Sequence, residues 1–396
     1  MTDARRLEKQ PTVIILGMGI TGLGVIRNLG RKGVRIIGMD PNPLILGRFS
    51  RYSRGVISPD VEKCEDKFLE SLLKTGKKID APGIIFPTED RYVNFVSKNR
   101  DTLSRYFKFP LPGKILCDEI LNKYKFFKLA EQSSFSVPLT FSAKTINDVR
   151  DAASKIAFPC IIKPLYSRKW KLGGMVKALK IDNKSGLLEK GAEFMNNDSE
   201  IVIQEMVSGM DSDQFSFAAY FDLHGNFRAG FVARKVRQHP LDFGVGTLVE
   251  SLHEPEVAAL GESILRKIGF RGIAEVEFRK DQRDGKLKLI EINLRPWTQN
   301  SLASICGLNI IHIAYLDLAG MPLPKDVSYK DGIKWINFFR DPVASFQYIL
   351  RKEMTLAGWL KSLRGVRDLS VFAPDDILPF LFLPLYIADH FIRRKE

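Results

Sequence analysis

Cysteine is scarce in this chain of 396 residues. Cys64, Cys117, Cys160 and Cys306 are the only four, they lie far apart, and none forms a CxxC pair. That spacing argues against a zinc–thiolate site or a redox dithiol and predicts a reducing compartment. No apolar run reaches the ~20 residues that a membrane-spanning helix needs. Residues 1–10, "MTDARRLEKQ", lack the apolar centre of a secretory signal, so the expected location is the cytoplasm. GxxxxGK followed by Ser or Thr does not occur, which excludes a P-loop; HExxH and GxSxG are missing too, against a zinc protease or an α/β-hydrolase. There is no internal repeat and no low-complexity tract. Acidic residues are in short supply: 46 Asp and Glu against 60 Lys and Arg leave a net charge of +14. Such an excess suits an anionic partner, whether nucleotide, acidic metabolite, nucleic acid or membrane surface, although a solvated basic surface explains the charge alone.

What is present is a soluble composition, 45% apolar and 27% charged, in a chain long enough for two to four domains. Residues 13–24, "VIILGMGITGLG", run from an apolar strand into Gly17-x-Gly19-x-x-Gly22, and "VRIIGMD" ends in Asp40. This pattern can cradle a dinucleotide pyrophosphate with Asp40 on a ribose, or it can be structural, giving a tight turn and close helix–strand packing. Strand–helix–strand alternation over 11–112 predicts a parallel sheet, and "FPLPGK" marks its end. From Asp118, read as an N-cap, "DEILNKYKFFKLAEQ" predicts one helix. Short β-rich runs fill 155–207. Residues 214–296 alternate strands with one helix, on which Val257, Leu260, Ile264, Leu265 and Ile268 share a face. The tail from 326 ends in "DDILPFLFLPLYIADHFIRRKE". Packing on the main body is the preferred reading there, with membrane or partner contact as the other.

The densest chemical signal is "AEVEFRKDQRDGKLKLIEINLRPW", residues 274–297. Two strand-like runs flank the turn "QRDGK" and predict a β-hairpin. Glu277 and Glu291 are equidistant from Asp284, so a register centred there sets the two carboxylates opposite each other, with β-carbons about 5 Å apart. Asn293 points to the same face. Opposed like charges destabilise a hairpin unless something neutralises them. Two carboxylates and an amide oxygen are ligands that Mg²⁺ takes when phosphates complete its shell. Arg295 adds a positive charge beside those phosphates. Lys163, in "CIIKP", can reach phosphates from a strand end, and Gly173 and Gly174, in "RKWKLGGM", can close over them. "VIQEMVSGMDSDQ" offers a backbone edge for adenine, with Asp213 for the ribose.

Lys123 ahead of the first lobe, then "IIKP", a Gly-containing loop, "QEMVSG", Glu277–Phe278 and "IEINLRP" follow in an order that resembles the ATP-grasp superfamily, from about residue 11 to 325. The loop "YSRKWKLGGM" departs from the family in carrying few glycines. Within the superfamily the chain is most similar to single-module carboxylate–amine ligases, including D-aspartate ligase-like and carbamoyl-phosphate-synthase-like proteins. The resemblance implies an α/β fold: a Rossmann-like pre-ATP-grasp domain (11–112), a small lobe with its linking helix (113–207), a large lobe with the metal site (208–325) and a helical C-terminal extension (326–396).

It also implies roles. Lys123 and Lys163 hold ATP phosphates, Glu205 with the backbone of Met206 and Val207 holds adenine, and Asp213 holds ribose. Glu277, Glu291 and Asn293 bind Mg²⁺ or Mn²⁺. Lys235, Arg237 and Arg295 face the transferred phosphoryl group or the acceptor carboxylate. The implied reaction activates a carboxylate as an acyl phosphate and joins it to an amine, with an amino acid or small peptide as substrate and a homodimer as the expected assembly. A non-catalytic ATP-binding regulator is the alternative. A nucleic-acid binder is disfavoured, because "RKWK" and "RRKE" are short and isolated.

Overall fold

The structure is a computed structural model that describes residues 10–79, 82–165, 178–195 and 200–392. Strands β1 (Val13–Leu16), β2 (Ile36–Asp40), β3 (Arg54–Ile57), β4 (Gly83–Pro87) and β5 (Phe107–Lys108) form a parallel sheet in the order β3-β2-β1-β4-β5. Helix α1 (Ile20–Gly30) joins β1 to β2. β1 is apolar at every position because both of its faces are covered. Val13 and Ile15 belong to one core, Ile14 and Leu16 to another.

The glycine turn after β1 is occupied by its own fold. Gly17 has φ +89°, a conformation that favours glycine. A Cβ on Gly22 would stand 2.1 Å from the Gly17 carbonyl oxygen, whereas one on Gly19 would meet nothing within 4 Å. Asp40 is buried, and its carboxylate accepts hydrogen bonds from the backbone N–H groups of Met18 and Asn42, each at 2.9 Å. Two glycines and the acid thus close the turn against α1, which favours the structural reading of the motif.

The helix expected from Asp118 is two helices, Lys114–Leu121 and α2 (Lys123–Gln132). The cap is Asn122, whose side-chain oxygen accepts from the Lys125 N–H at 3.0 Å. Beyond it, β6 (Thr140–Ala143), β7 (Cys160–Pro164), β8 (Leu179–Ile181) and β9 (Ile201–Glu205) form an antiparallel sheet in the order β6-β9-β7-β8 with a core of its own.

The third sheet is the largest. β10 (Gln214–Phe221), β11 (Phe227–His239), β12 (Val245–Ser251), β13 (Gly272–Lys280) and β14 (Leu287–Asn293) are joined by β15 (Lys334–Ile336) and β16 (Val366–Asp368), in the order β14-β13-β10-β11-β12-β15-β16. The segment from 326, expected to be a helical extension, therefore also completes this sheet. Strands of three residues are too short to show a two-residue period in sequence. Helices α3 (Arg340–Leu350) and α4 (Leu356–Ser362) lie between the two added strands. The first and third sheets share their cores: Ile14 and Ile85 sit in one cluster with Phe217 and Val276.

The end of the tail packs on the first domain. Val371 and Leu383 join Leu23 and Leu46, and Phe382 stacks on Phe49 at 3.8 Å. Arg27 on α1 is buried. Its Nε donates to Asp376 at 2.9 Å and its other nitrogens to carbonyls of Ser370, Val371 and Asp376.

Gly22→Ala is expected to lower stability by about 2–3 kcal/mol through overpacking, and Gly19→Ala to change it by less than about 0.5 kcal/mol. Thermal unfolding of the two variants checks the difference. Equal, mild effects would contradict the close approach of α1 to the turn.

Candidate active site

β13 and β14 form the predicted hairpin, with Glu277 opposite Glu291 and Glu275 opposite Asn293. Nearer the turn the pairing is shifted, with Phe278 opposite Leu289, and a bulge between the two stretches restores the register at Glu291. The four polar side chains line one wall of a cavity of about 410 Å³. The opposite wall comes from the small sheet and the segment after it, through Lys163, Gln204, Glu205, Met206 and Val207. Lys123 at the start of α2 and Lys235 on β11 also line the cavity.

Hydrogen bonds tie the acidic wall together. Nδ2 of Asn293 donates to Glu275 Oε2 at 3.1 Å and to Glu277 Oε1 at 3.0 Å. Its Oδ1 accepts from Arg295 at 3.1 Å, and Nε of Arg295 donates to Asp90 at 2.7 Å. Burial works against the charge of Arg295, but Asp90 beside it, with Glu275 and Glu291, holds its pKa above the ordinary range. Glu275 is only 8% exposed. Its burial, and then the neighbouring charge of Glu277, push its carboxyl up to about 8, against the pull of Arg295 and Lys235. Lys163 Nζ donates to Gln204 Oε1 at 2.8 Å, and Gln204 donates in turn to Thr140 at 2.8 Å, which fixes the ammonium against the cavity wall.

Glu277 and Glu291 fit a shared Mg²⁺, as two facing carboxylates whose excess negative charge a cation would relieve. The Asn293 amide turns its Nδ2 to Glu275 and Glu277 and its Oδ1 to Arg295, so its oxygen would reach the ion only with the amide turned over. Among the described residues no three His, Cys, Asp or Glu side chains converge on a protein-only metal cage. An ion held partly by phosphate oxygens needs only one or two protein carboxylates.

Three expectations need correction or qualification. Arg237 does not face the cavity. β11 bulges between Lys235 and Arg237, so residues that strict alternation would place on one face lie on opposite ones. Arg237 is buried in a two-pronged ion pair with Asp341, at 2.9 and 2.8 Å. Asp213 is not among the lining residues; its carboxylate accepts from the Met210 N–H at 2.7 Å and from Gln282 at 2.8 Å, closing a local turn. Glu205 does line the cavity, but its carboxylate is taken by Arg283, Lys288 and the Leu139 N–H. Its backbone N–H donates to the Leu139 carbonyl at 2.8 Å, so a contact to adenine would fall to its carbonyl and to the backbone after it. Gly173 and Gly174 fall in 166–177, outside the described residues.

Sequence reasoning passed over Glu275, Gln204 and Asp90. Glu275 was legible in "AEVEF", since it stands two residues from Glu277 on the same strand face.

Glu275 also gives the site a pH signature. A carboxyl whose folded-state pKa is raised stabilises the fold fully below the ordinary glutamate range and loses that contribution as the pH rises through its folded value, here about 8. Without nucleotide or metal, Glu275→Gln is expected to flatten the fall in melting temperature between about pH 5 and about pH 9. At the upper end the variant should melt about 2–4 °C above wild type. Parallel curves for the two proteins would refute the assignment.

No protein-family model matches the chain. A curated relative, the D-aspartate ligase of Enterococcus faecium (strain Aus0004), is 24% identical over 316 residues, covering 75% of this chain and 74% of its own. Among solved structures, an N5-carboxyaminoimidazole ribonucleotide synthetase in its ADP complex superposes with a TM-score of 0.66 at 14% identity, over 87% of this chain and 85% of that one. The L-amino acid ligase of Bacillus licheniformis gives a TM-score of 0.61 at 15% identity, over 82% and 79%. In sequence and in fold, the chain resembles the ATP-grasp carboxylate–amine ligases.

Proposed function

We propose that the chain is an ATP-dependent carboxylate–amine ligase that joins an amino acid or small peptide to an amine through an acyl phosphate. The observation that carries this reading is the placement of Glu277, Glu291 and Asn293 across one cavity from Lys163. The names of the relatives, a D-aspartate ligase and an L-amino acid ligase, support an amino-acid substrate.

The obstacle to the reaction is the approach of a carboxylate to a polyphosphate, anion to anion. Bound Mg²⁺ supplies charge neutralisation and a fixed geometry at the phosphates. The chain supplies the rest. Lys123 and Lys163 place positive charge at the nucleotide end, while the backbone at Glu205, Met206 and Val207 offers hydrogen bonds to the adenine edge. Lys235 and Arg295 stand at the other end beside the acidic wall, where they attract the acceptor carboxylate and offset charge as it moves to the transferred phosphoryl group. Asp90 keeps the Arg295 guanidinium in one orientation. Positioning and electrostatics suffice for this chemistry, so no cysteine, serine or histidine nucleophile is required. A regulator that only binds nucleotide need not keep opposed carboxylates together with Lys163, which favours the catalytic reading.

ADP release from ATP and Mg²⁺ is expected only when the matching amino acid or peptide is present, with a new condensed mass in the products. Glu291→Ala should reduce that release by more than about a hundredfold while circular dichroism stays unchanged. Wild-type turnover in this variant would sink the metal assignment. ATP binding with no ADP from any pool of carboxylates and amines would sink the ligase reading.

A further inference from the structure

Residues 343–385 hold more than half of the large apolar side chains that the described residues expose. The concentration is sharpest on α3 and α4. Val343, Phe346 and Leu350 of α3 are 49%, 61% and 66% exposed, and Leu356 and Leu360 of α4 are 60% and 57% exposed. Their spacings, i, i+3, i+7 on α3 and i, i+4 on α4, each mark a single helix face. The opposite side of α3, with Asp341, Ala344 and Ser345, is buried.

The two helices form a hairpin. A short link joins the end of α3 to the start of α4. At the far end, the Trp359 indole N–H of α4 donates to Asp341 in the first turn of α3, at 3.1 Å. Arg237 seals that end, donating to Asp341 and to Ser362. The exposed charges on 340–368 are mostly positive: Arg340, Arg351, Lys352, Lys361, Arg364 and Arg367 against Glu353, with Arg351 paired to the exposed Asp242 at 3.3 Å and with Asp341 and Asp368 buried.

We propose that the α3–α4 hairpin docks on an anionic lipid bilayer surface. Large aliphatic and aromatic side chains at the centre enter the headgroup–acyl boundary, and the lysine and arginine rim meets the anionic headgroups. The charge balance favours a lipid surface over an apolar protein face, which has no need of a basic rim. Docking is peripheral, because among the described residues no helix is long and apolar enough to cross a membrane. The irregular register of β11 turns Arg237 toward the hairpin and Lys235 toward the cavity, while Arg351 just beyond α3 reaches the cavity-lining Asp242.

The test is co-sedimentation of the full chain with vesicles of phosphatidylglycerol and phosphatidylcholine, against vesicles of phosphatidylcholine alone. Binding is expected only with phosphatidylglycerol. The double variant Phe346→Asp/Leu350→Asp should weaken it about tenfold at unchanged melting temperature. Lys352→Glu/Lys361→Glu should weaken it with the apolar face intact. Failure to bind the anionic vesicles overturns the proposal, as does equal binding by the aspartate variant, which would reduce the effect to the chain's general positive charge. Concentration-dependent dimerisation in light scattering that the aspartate variant abolishes, without vesicle binding, would assign the face to a second copy of the chain instead. Because this readout needs no turnover, it stands or falls separately from the ligase reading.

Discussion

The repulsion among Glu275, Glu277 and Glu291 on one face of a strand pair is the constraint around which the molecule is organised. Hairpins do not tolerate such crowding without compensation. In this chain compensation comes from every side: the Asn293 amide between two of the carboxylates, and the positive charges of Arg295 and Lys235 nearby. Arg295 is anchored on Asp90, which belongs to the first domain. The charge balance of the site is thereby tied to the docking of the parallel sheet against the large one, and the two sheets share an apolar core. The small sheet stands apart with its own core. Its polar ties to the hairpin run through Glu205, which bonds Arg283 and Lys288. Lining segments from two separately packed sheets suit a cavity that, on the proposed reading, admits and releases a nucleotide.

The parts legible in the sequence are those that depend on short-range periodicity. A register centred on Asp284 gave the opposed pair Glu277 and Glu291, which the structure keeps through a bulge, and two-residue alternation put Asn293 on the same face. The apolar run and glycine spacing at 13–24 marked a tight strand–helix turn. Where alternation fails, so does the reading. Arg237 was grouped with Lys235 through the family resemblance of "ARKVRQHP", and the irregular register of β11 on either side of Arg237 turns it away from the cavity. Asp213 was assigned by its place after "QEMVSG", yet a turn consumed its carboxylate. Asn122 was overlooked because Asp118 is an equally good cap by residue type, and only tertiary packing decides between them. β15 and β16 were invisible because distant partners, β12 more than eighty residues before β15 and β15 some thirty residues before β16, and not their own composition, make them strands.

Those late strands and the Arg27–Asp376 ion pair bear on how the chain is made. α1 buries a guanidinium whose partners, Ser370, Val371 and Asp376, lie nearly 350 residues further on. During synthesis the first sheet emerges long before those partners, so the guanidinium can enter its ion pair only once the last residues are made. The face of α1 that meets the tail is thus completed last, and the large sheet lacks its edge strand until β16 has been made. Final consolidation waits for the last few dozen residues. A chain that stops early would keep the residues of the cavity and still lack the Arg27–Asp376 contacts and the β15–β16 edge of the large sheet.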